Sequence, residues 1–197
     1  TLVKEGKDKI IERIINIINK TINDAGIQDK DKIMGIGLVS AGPYDHQKGI
    51  MVNPPNFPGW YNVPIKDIIQ NATGIPTFFE KETVSMALAE YLFGCASEVN
   101  SLFCAYINNI GIGGGVIIDG RIYHGFCDGA GDIGHMVIDL DGPACNCGNF
   151  GCLETVASGL AIVRNVKSEI RRGEASLVQE YVRDIDDIDI HMVIEAA

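Results

Sequence analysis

Between residues 5 and 25 the apolar positions fall on Ile10, Ile11, Ile14, Ile15, Ile18 and Ile22. Steps of three and four put them on one side of a 3.6-residue helix, so the stretch predicts an amphipathic helix. Asp24-Ala25-Gly26 supplies its stop, with glycine at the C-terminal position that favours a left-handed residue. The period then shortens. Residues 33–39 (IMGIGLV) form a brief apolar run that ends in Ser40-Ala41-Gly42-Pro43, which reads as a strand entering a tight turn. Residues 45–49 are polar, and 49–52 read as the return strand of a hairpin. The segment 53–60 (NPPNFPGW) contains three prolines, which remove donors and fix the backbone, so it is neither helix nor central strand. Its Phe and Trp predict an ordered loop rather than a linker.

Residues 64–73 predict a short helix stopped by Gly74, and 75–80 a strand. Helical spacing returns over 81–94 through Val84, Met86, Ala87, Leu88, Tyr91 and Leu92. A strand follows over 101–107, then the glycine-rich run 108–115 (NNIGIGGG), and a strand over 116–118. Asp119-Gly120 is a hairpin turn signal that pairs 121–123 back. Residues 153–169 predict one helix. From Ser176 onward helix alternates with acidic loop, and DIDDID over 184–189 reads as a solvated edge before another helix. Strands alternating with helices predict an α/β fold.

At 197 residues the chain can bury one sizeable core or two small ones. Its net charge of −10 argues against this segment gripping a phosphate backbone, which needs clustered Lys and Arg. No apolar run approaches the roughly 18 residues of a membrane span, so no membrane partner is expected. Six cysteines without a signal peptide suggest a reducing, cytoplasmic setting. Cys95, Cys104 and Cys127 are expected to be buried or inert thiols. The chain begins on Thr1 directly before a helix and ends on an apolar helical pattern, and it reads as a piece of a longer protein.

The densest chemistry lies in residues 131–154, GDIGHMVIDLDGPACNCGNFGCLE. Cys145, Cys147 and Cys152 fall within eight residues of a glycine-rich loop, with His135 ten residues upstream. Three thiolates and an imidazole are a common closed zinc set, and Gly148 and Gly151 let the backbone bend around an ion. A structural zinc is the reading that this pattern favours over three ordinary buried thiols.

The motifs GLVSAGPYD, NPPNFPGW, NIGIGGG, GDIGHM and CNCGNFGCLETVASG occur in the order and spacing of the ROK family, which groups repressors, open-reading-frame proteins and sugar kinases. The resemblance covers residues 1 to about 165. It implies an actin-like, ribonuclease-H-like fold of two lobes with a sugar in the cleft between them. Residues 1–98 would be the remainder of the N-terminal lobe without its first strands. Residues 99–197 would be the first part of the C-terminal lobe, carrying the zinc loop. Carried over residue by residue, His135, Cys145, Cys147 and Cys152 look like the zinc ligands, and the zinc orders the loop rather than taking part in chemistry. His135 would turn its other nitrogen toward a sugar hydroxyl. Glu154 looks like a hydroxyl acceptor, and Gly42 and Asn56 lie where sugar-facing loops do. Members of the family commonly form homodimers or larger homo-oligomers.

Three departures bear on activity. Family kinases carry Glu-Asn-Asp where this chain has Glu80-Lys81-Glu82. The Asn binds sugar and the Asp is the general base, so Lys81 and Glu82 hold the substrate and catalytic positions with altered chemistry. Lysine cannot accept a hydrogen bond as Asn does, and Glu82 sets its carboxylate one methylene farther out. The phosphate-facing Gly-Thr-Gly becomes Asn109-Ile110-Gly111, followed by Gly113, which removes the hydroxyl but resembles the repressor branch. Those glycines also suit a tight β-hairpin. Asp132 stands where a sugar-facing Glu is usual. Together the departures favour the sugar-sensing part of a transcriptional regulator, binding a hexose or derivative, with DNA contacted only through a region outside this chain. The alternative is a sugar kinase using ATP and Mg²⁺.

Overall fold

The computed structural model describes residues 5–55 and 57–197. The elements are α1 (Lys7–Asp24), β1 (Ile36–Ser40), β2 (Tyr44–Asp45), β3 (Ile50–Met51), α2 (Ile65–Thr73), β4 (Thr77–Lys81), α3 (Glu82–Phe93), β5 (Leu102–Ile107), β6 (Ile112–Ile118), β7 (Arg121–Ile122), α4 (Leu153–Ala157), α5 (Gly159–Arg171) and α6 (Ile190–Glu195). Short 3₁₀ turns lie at Lys30–Lys32, Ile133–His135, Leu177–Glu180 and Ile185–Asp187. The chain divides into two compact units. One takes Thr1–Phe103 and Gly115–Ala130, the other Cys104–Gly114 and Gly131–Ala197.

In the first unit β1 and β4 pair in parallel, from Ile36 opposite Thr77 to Ser40 opposite Lys81. Parallel strands need a long crossover, and here β2, β3 and α2 supply it. The isoleucine stripe of α1 packs as its period demands. Ile11 joins Tyr44, Met51, Trp60, Val63, Ile65, Ile69 and Phe79 in one core, with Ile10, Ile14, Ile15 and Ile18 against it. Trp60 is buried and meets Phe57 edge-on at 5.9 Å, so these two aromatics of the proline-rich segment anchor on the core. Asp119 and Gly120 both take positive φ and close the β6–β7 hairpin.

In the second unit Val163, Ile170, Val178 and Ile188 form the core under α5 and α6. The acidic run serves as a set of caps. Asp184 accepts from the Asp186 amide and Asp189 from the Met192 amide, which starts α6.

Three local expectations change. The glycine run is largely strand, since β6 begins at Ile112 and residues 112–115 are buried. Glycine is needed at Gly115 for close packing: a Cβ there would lie 2.5 Å from the Ala87 Cβ and 2.7 Å from the Thr83 carbonyl of α3. The single helix expected over 153–169 is broken at Ser158, whose extended ψ of 161° ends α4 and whose side chain accepts from the Ala161 amide to cap α5. Finally, Cys95 and Cys127 are exposed and Cys104 is half-buried. The Cys95 thiol donates to Glu90 Oε1 at 2.9 Å.

Candidate functional site

The second unit holds the cysteine–histidine cluster. The 3₁₀ turn Ile133–His135 presents His135, a turn around Gly148 presents Cys145 and Cys147, and Cys152 stands at the head of α4. Their ligand atoms all lie within 4.8 Å of one another. Cys145 Sγ is 3.6 Å from His135 Nδ1, and Cys147 Sγ is 3.7 Å from Cys152 Sγ. A tetrahedral zinc with about 2.3 Å to sulfur and about 2.0–2.1 Å to nitrogen sets sulfurs about 3.8 Å apart and sulfur about 3.5 Å from nitrogen. These two pairs stand at those separations and the whole set lies within 4.8 Å, so the four side chains could hold a metal ion.

Backbone geometry enforces the arrangement. Gly151 has φ +63°, and a Cβ there would sit 1.5 Å from the Asp139 carbonyl oxygen, so no other residue fits. The Asn149 backbone amide pulls the Cys147 thiol below its ordinary pKa, whereas burial, then the neighbouring Cys145 and Cys147, push Cys152 up to about 12. A dication would relieve that crowding of thiols by converting them to thiolates.

Beside the cluster lies Glu154, on the first turn of α4. Its Oε2 accepts from the Ile112 amide at 3.1 Å. The Ile112 carbonyl in turn presses on Gly134, where a Cβ would come within 2.0 Å of the oxygen. One residue of β6 therefore seats both the Glu154 carboxylate and the turn that carries His135. Ile110, Cys145, Glu154 and Arg164 line a cavity of about 230 Å³ in this unit.

The turn 108–111 is tied inward. Asn108 Oδ1 accepts from the Ile110 amide at 2.8 Å and the Gly111 amide at 2.7 Å, and the carbonyls of Asn108 and Asn109 accept from Gly159 and Leu160 at the start of α5. With Ile112 bonded to Glu154, three consecutive amides already have partners. Gly113 lies buried in β6 beyond them. Asp132 is exposed and stands at the start of the His135 turn, where its backbone carbonyl accepts from the His135 amide at 3.4 Å.

In the first unit the parallel register brings Gly42 and Lys81 together, with the Lys81 Cε 3.7 Å from where a Gly42 Cβ would stand. Lys81 is 7% exposed, so it is a buried cation and not a surface charge. Burial lowers its pKa, against the charges of Glu82 and Glu80, which raise it. Glu82 follows as the first residue of α3. Asn56 lies outside the described residues.

A further group escaped the sequence reading. Glu80 Oε1 accepts from the Tyr44 hydroxyl at 2.5 Å and the Lys81 amide at 2.8 Å, and Oε2 lies 2.8 Å from His124 Nε2. Burial, then the Glu80 carboxylate, raise the Tyr44 pKa well above its ordinary value. His124 stacks on His46, which pairs with Asp128. Tyr44 and Glu80 fall in the motifs quoted above, but no short motif announces the group, because its residues come from three separated segments.

The sequence model described as "ROK family" matches residues 2–196. A glucokinase of Thermotoga maritima is 36% identical over 198 residues, covering 100% of this chain and 60% of its own length. A xylose repressor of Caldicellulosiruptor bescii is 32% identical over 197 residues, covering 99% of this chain and 48% of its own. The crystal structure of a ROK family transcriptional regulator, a homolog of the E. coli MLC protein, superposes with a TM-score of 0.84 at 32% identity, over 97% of this chain and 46% of that one. The chain thus spans roughly half the length of these relatives. Likeness to both kinds carries the actin-like sugar-kinase fold to this chain.

Proposed function

Because this chain belongs to the ROK family, we propose that it is the sugar-binding part of a ROK transcriptional regulator with little or no kinase activity. The carrying observation is the state of the 110–112 turn. Its three amides are bonded to Asn108 and Glu154, and Ile110 offers no hydroxyl, so little remains there to grip a nucleotide's phosphates. Lys81 supports the same reading, since a buried ammonium cannot accept a hydrogen bond where the kinases use Asn.

Zinc is held by His135, Cys145, Cys147 and Cys152, and its role is to lock the loop between Gly134 and α4. With that loop fixed, Glu154 and His135 present a carboxylate and an imidazole edge to sugar hydroxyls, with Asp132 nearby in sequence. Carboxylates accept strong hydrogen bonds from hydroxyl pairs. Sugar would act on gene expression through differential affinity for two states of the whole protein, and DNA would be reached through a part outside this chain. The relatives named as xylose repressor and MLC homolog support this.

The second reading is a sugar kinase with Glu82 as base and Mg²⁺-ATP as donor, supported by the glucokinase relative. The two part in one experiment on the full-length protein. Sugar binding is followed by calorimetry, and ADP release is measured with Mg²⁺-ATP across hexoses, pentoses and N-acetylhexosamines. Binding without sugar-dependent ADP release supports the regulator. Turnover with any sugar sinks it and installs Glu82 as the base.

A further inference from the structure

The first unit contains a polar cluster that neither the metal nor the sugar reading uses. The rings of His46 and His124 stack with centroids 3.8 Å apart and planes 6° from parallel. Each is held by its own carboxylate: His46 Nδ1 lies 2.6 Å from Asp128 Oδ1, and His124 Nε2 lies 2.8 Å from Glu80 Oε2. Asp128 Oδ2 also accepts from the His46 backbone amide at 3.0 Å, which fixes the segment as well as the ring. The result is a ladder running Asp128, His46, His124, Glu80. Its last rung accepts from the Lys81 amide and from Tyr44.

A carboxylate only accepts, so the bonded nitrogen of each ring carries the hydrogen, and His46 Nε2 and His124 Nδ1 are where a further proton enters. Imidazole is the side chain whose charge ordinarily changes between about pH 5 and 8. With the rings in contact, a proton on one opposes a proton on the other. The carboxylates that meet the rings are Glu80 from β4 and Asp128 from the loop after β7, with the Tyr44 hydroxyl of β2 on the far side of Glu80. Asp45 lies beside His46 and is occupied by Lys48. Glu80 links the rings to the next residue, because the carboxylate that meets His124 also accepts from the Lys81 amide.

We infer that His124, acting through Glu80, is a positioning residue for the Lys81–Glu82 corner, and that proton uptake by the His46–His124 pair adjusts that corner. Its bearing on ligand binding rests on the reading of Lys81 and Glu82 as sugar-facing.

The test is heteronuclear NMR of the whole protein from about pH 5 to 8, following imidazole nitrogens and backbone amides, with binding of D-glucose and D-xylose measured at both ends. In the wild type the two rings titrate in coupled steps, and the Lys81 and Glu82 amides shift with the same midpoints. His124→Gln keeps a donor for Glu80 but cannot titrate. It flattens the Lys81 and Glu82 curves, and the dispersed spectrum reports that the fold is retained. His46→Gln collapses the His124 titration to a single step. A sugar that binds changes affinity at least threefold across the range in the wild type and not in His124→Gln. Flat Lys81 and Glu82 amides in the wild type, or amides that still titrate in His124→Gln, overturn the inference. Titrating amides with neither sugar bound at any pH support the positioning role and count instead against the sugar reading.

Discussion

Metal removal is the perturbation that tests the cysteine–histidine cluster most directly. Two ligand pairs stand at 3.6 and 3.7 Å, against the about 3.5 and 3.8 Å of a tetrahedral zinc, and all four ligand atoms lie within 4.8 Å of one another. The folded chain therefore gathers the four ligand atoms within 4.8 Å, whereas the unfolded chain holds them up to 17 residues apart, His135 to Cys152. Binding that favours the folded state stabilises it by about 2.7 kcal/mol when free zinc is 100 times Kd. For a chain of this size each kcal/mol moves Tm by about 2–4 °C, so chelation should lower Tm by about 5–11 °C. The assay is thermal unfolding before and after dialysis against EDTA, with zinc per chain counted by atomic emission. One zinc per chain, lost in Cys147→Ser, is expected. A protein with no zinc after growth in zinc-supplemented medium, and a Tm that ignores EDTA, would refute the reasoning.

Gly115→Ala should cost about 1–3 kcal/mol, because its methyl meets Ala87 at 2.5 Å, and the Tm should fall accordingly. Gly37→Ala, with nothing within 4 Å, is the control and should not lower it. Asn108→Ala removes the acceptor of two amides on a partly exposed turn, so a loss of about 1 kcal/mol in urea unfolding is expected, restored by Asn108→Asp. Glu154→Gln weakens a charged acceptor and should raise the Kd of any sugar that binds by roughly tenfold to a hundredfold in calorimetry, with the zinc count unchanged.

The chain shows where local pattern suffices and where it stops. The isoleucine period of α1, the stop at Gly74 and the Asp119-Gly120 turn are written in neighbouring residues, because hydrogen bonding within a helix or hairpin spans only a few positions. The Cys145, Cys147 and Cys152 set was legible for the same reason: a knuckle around one ion needs close spacing and a glycine that can turn, as Gly151 does. Other features depended on partners far along the chain. The glycines of 113–115 read as a loop from composition, yet they are strand, and Gly115 is glycine because α3 lies on it. The break at Ser158 follows from amides of α5 that reach the carbonyls of Asn108 and Asn109, 50 residues and more away. Lys81 was legible as a cation at the family's substrate position, but only the fold shows that it is buried. The ladder of Asp128, His46, His124 and Glu80 had no sequence signal, since its members meet only when three segments converge. Sequence spacing encodes contacts within a turn or a period. Close packing and shared hydrogen bonds between distant segments exist only once the chain has folded.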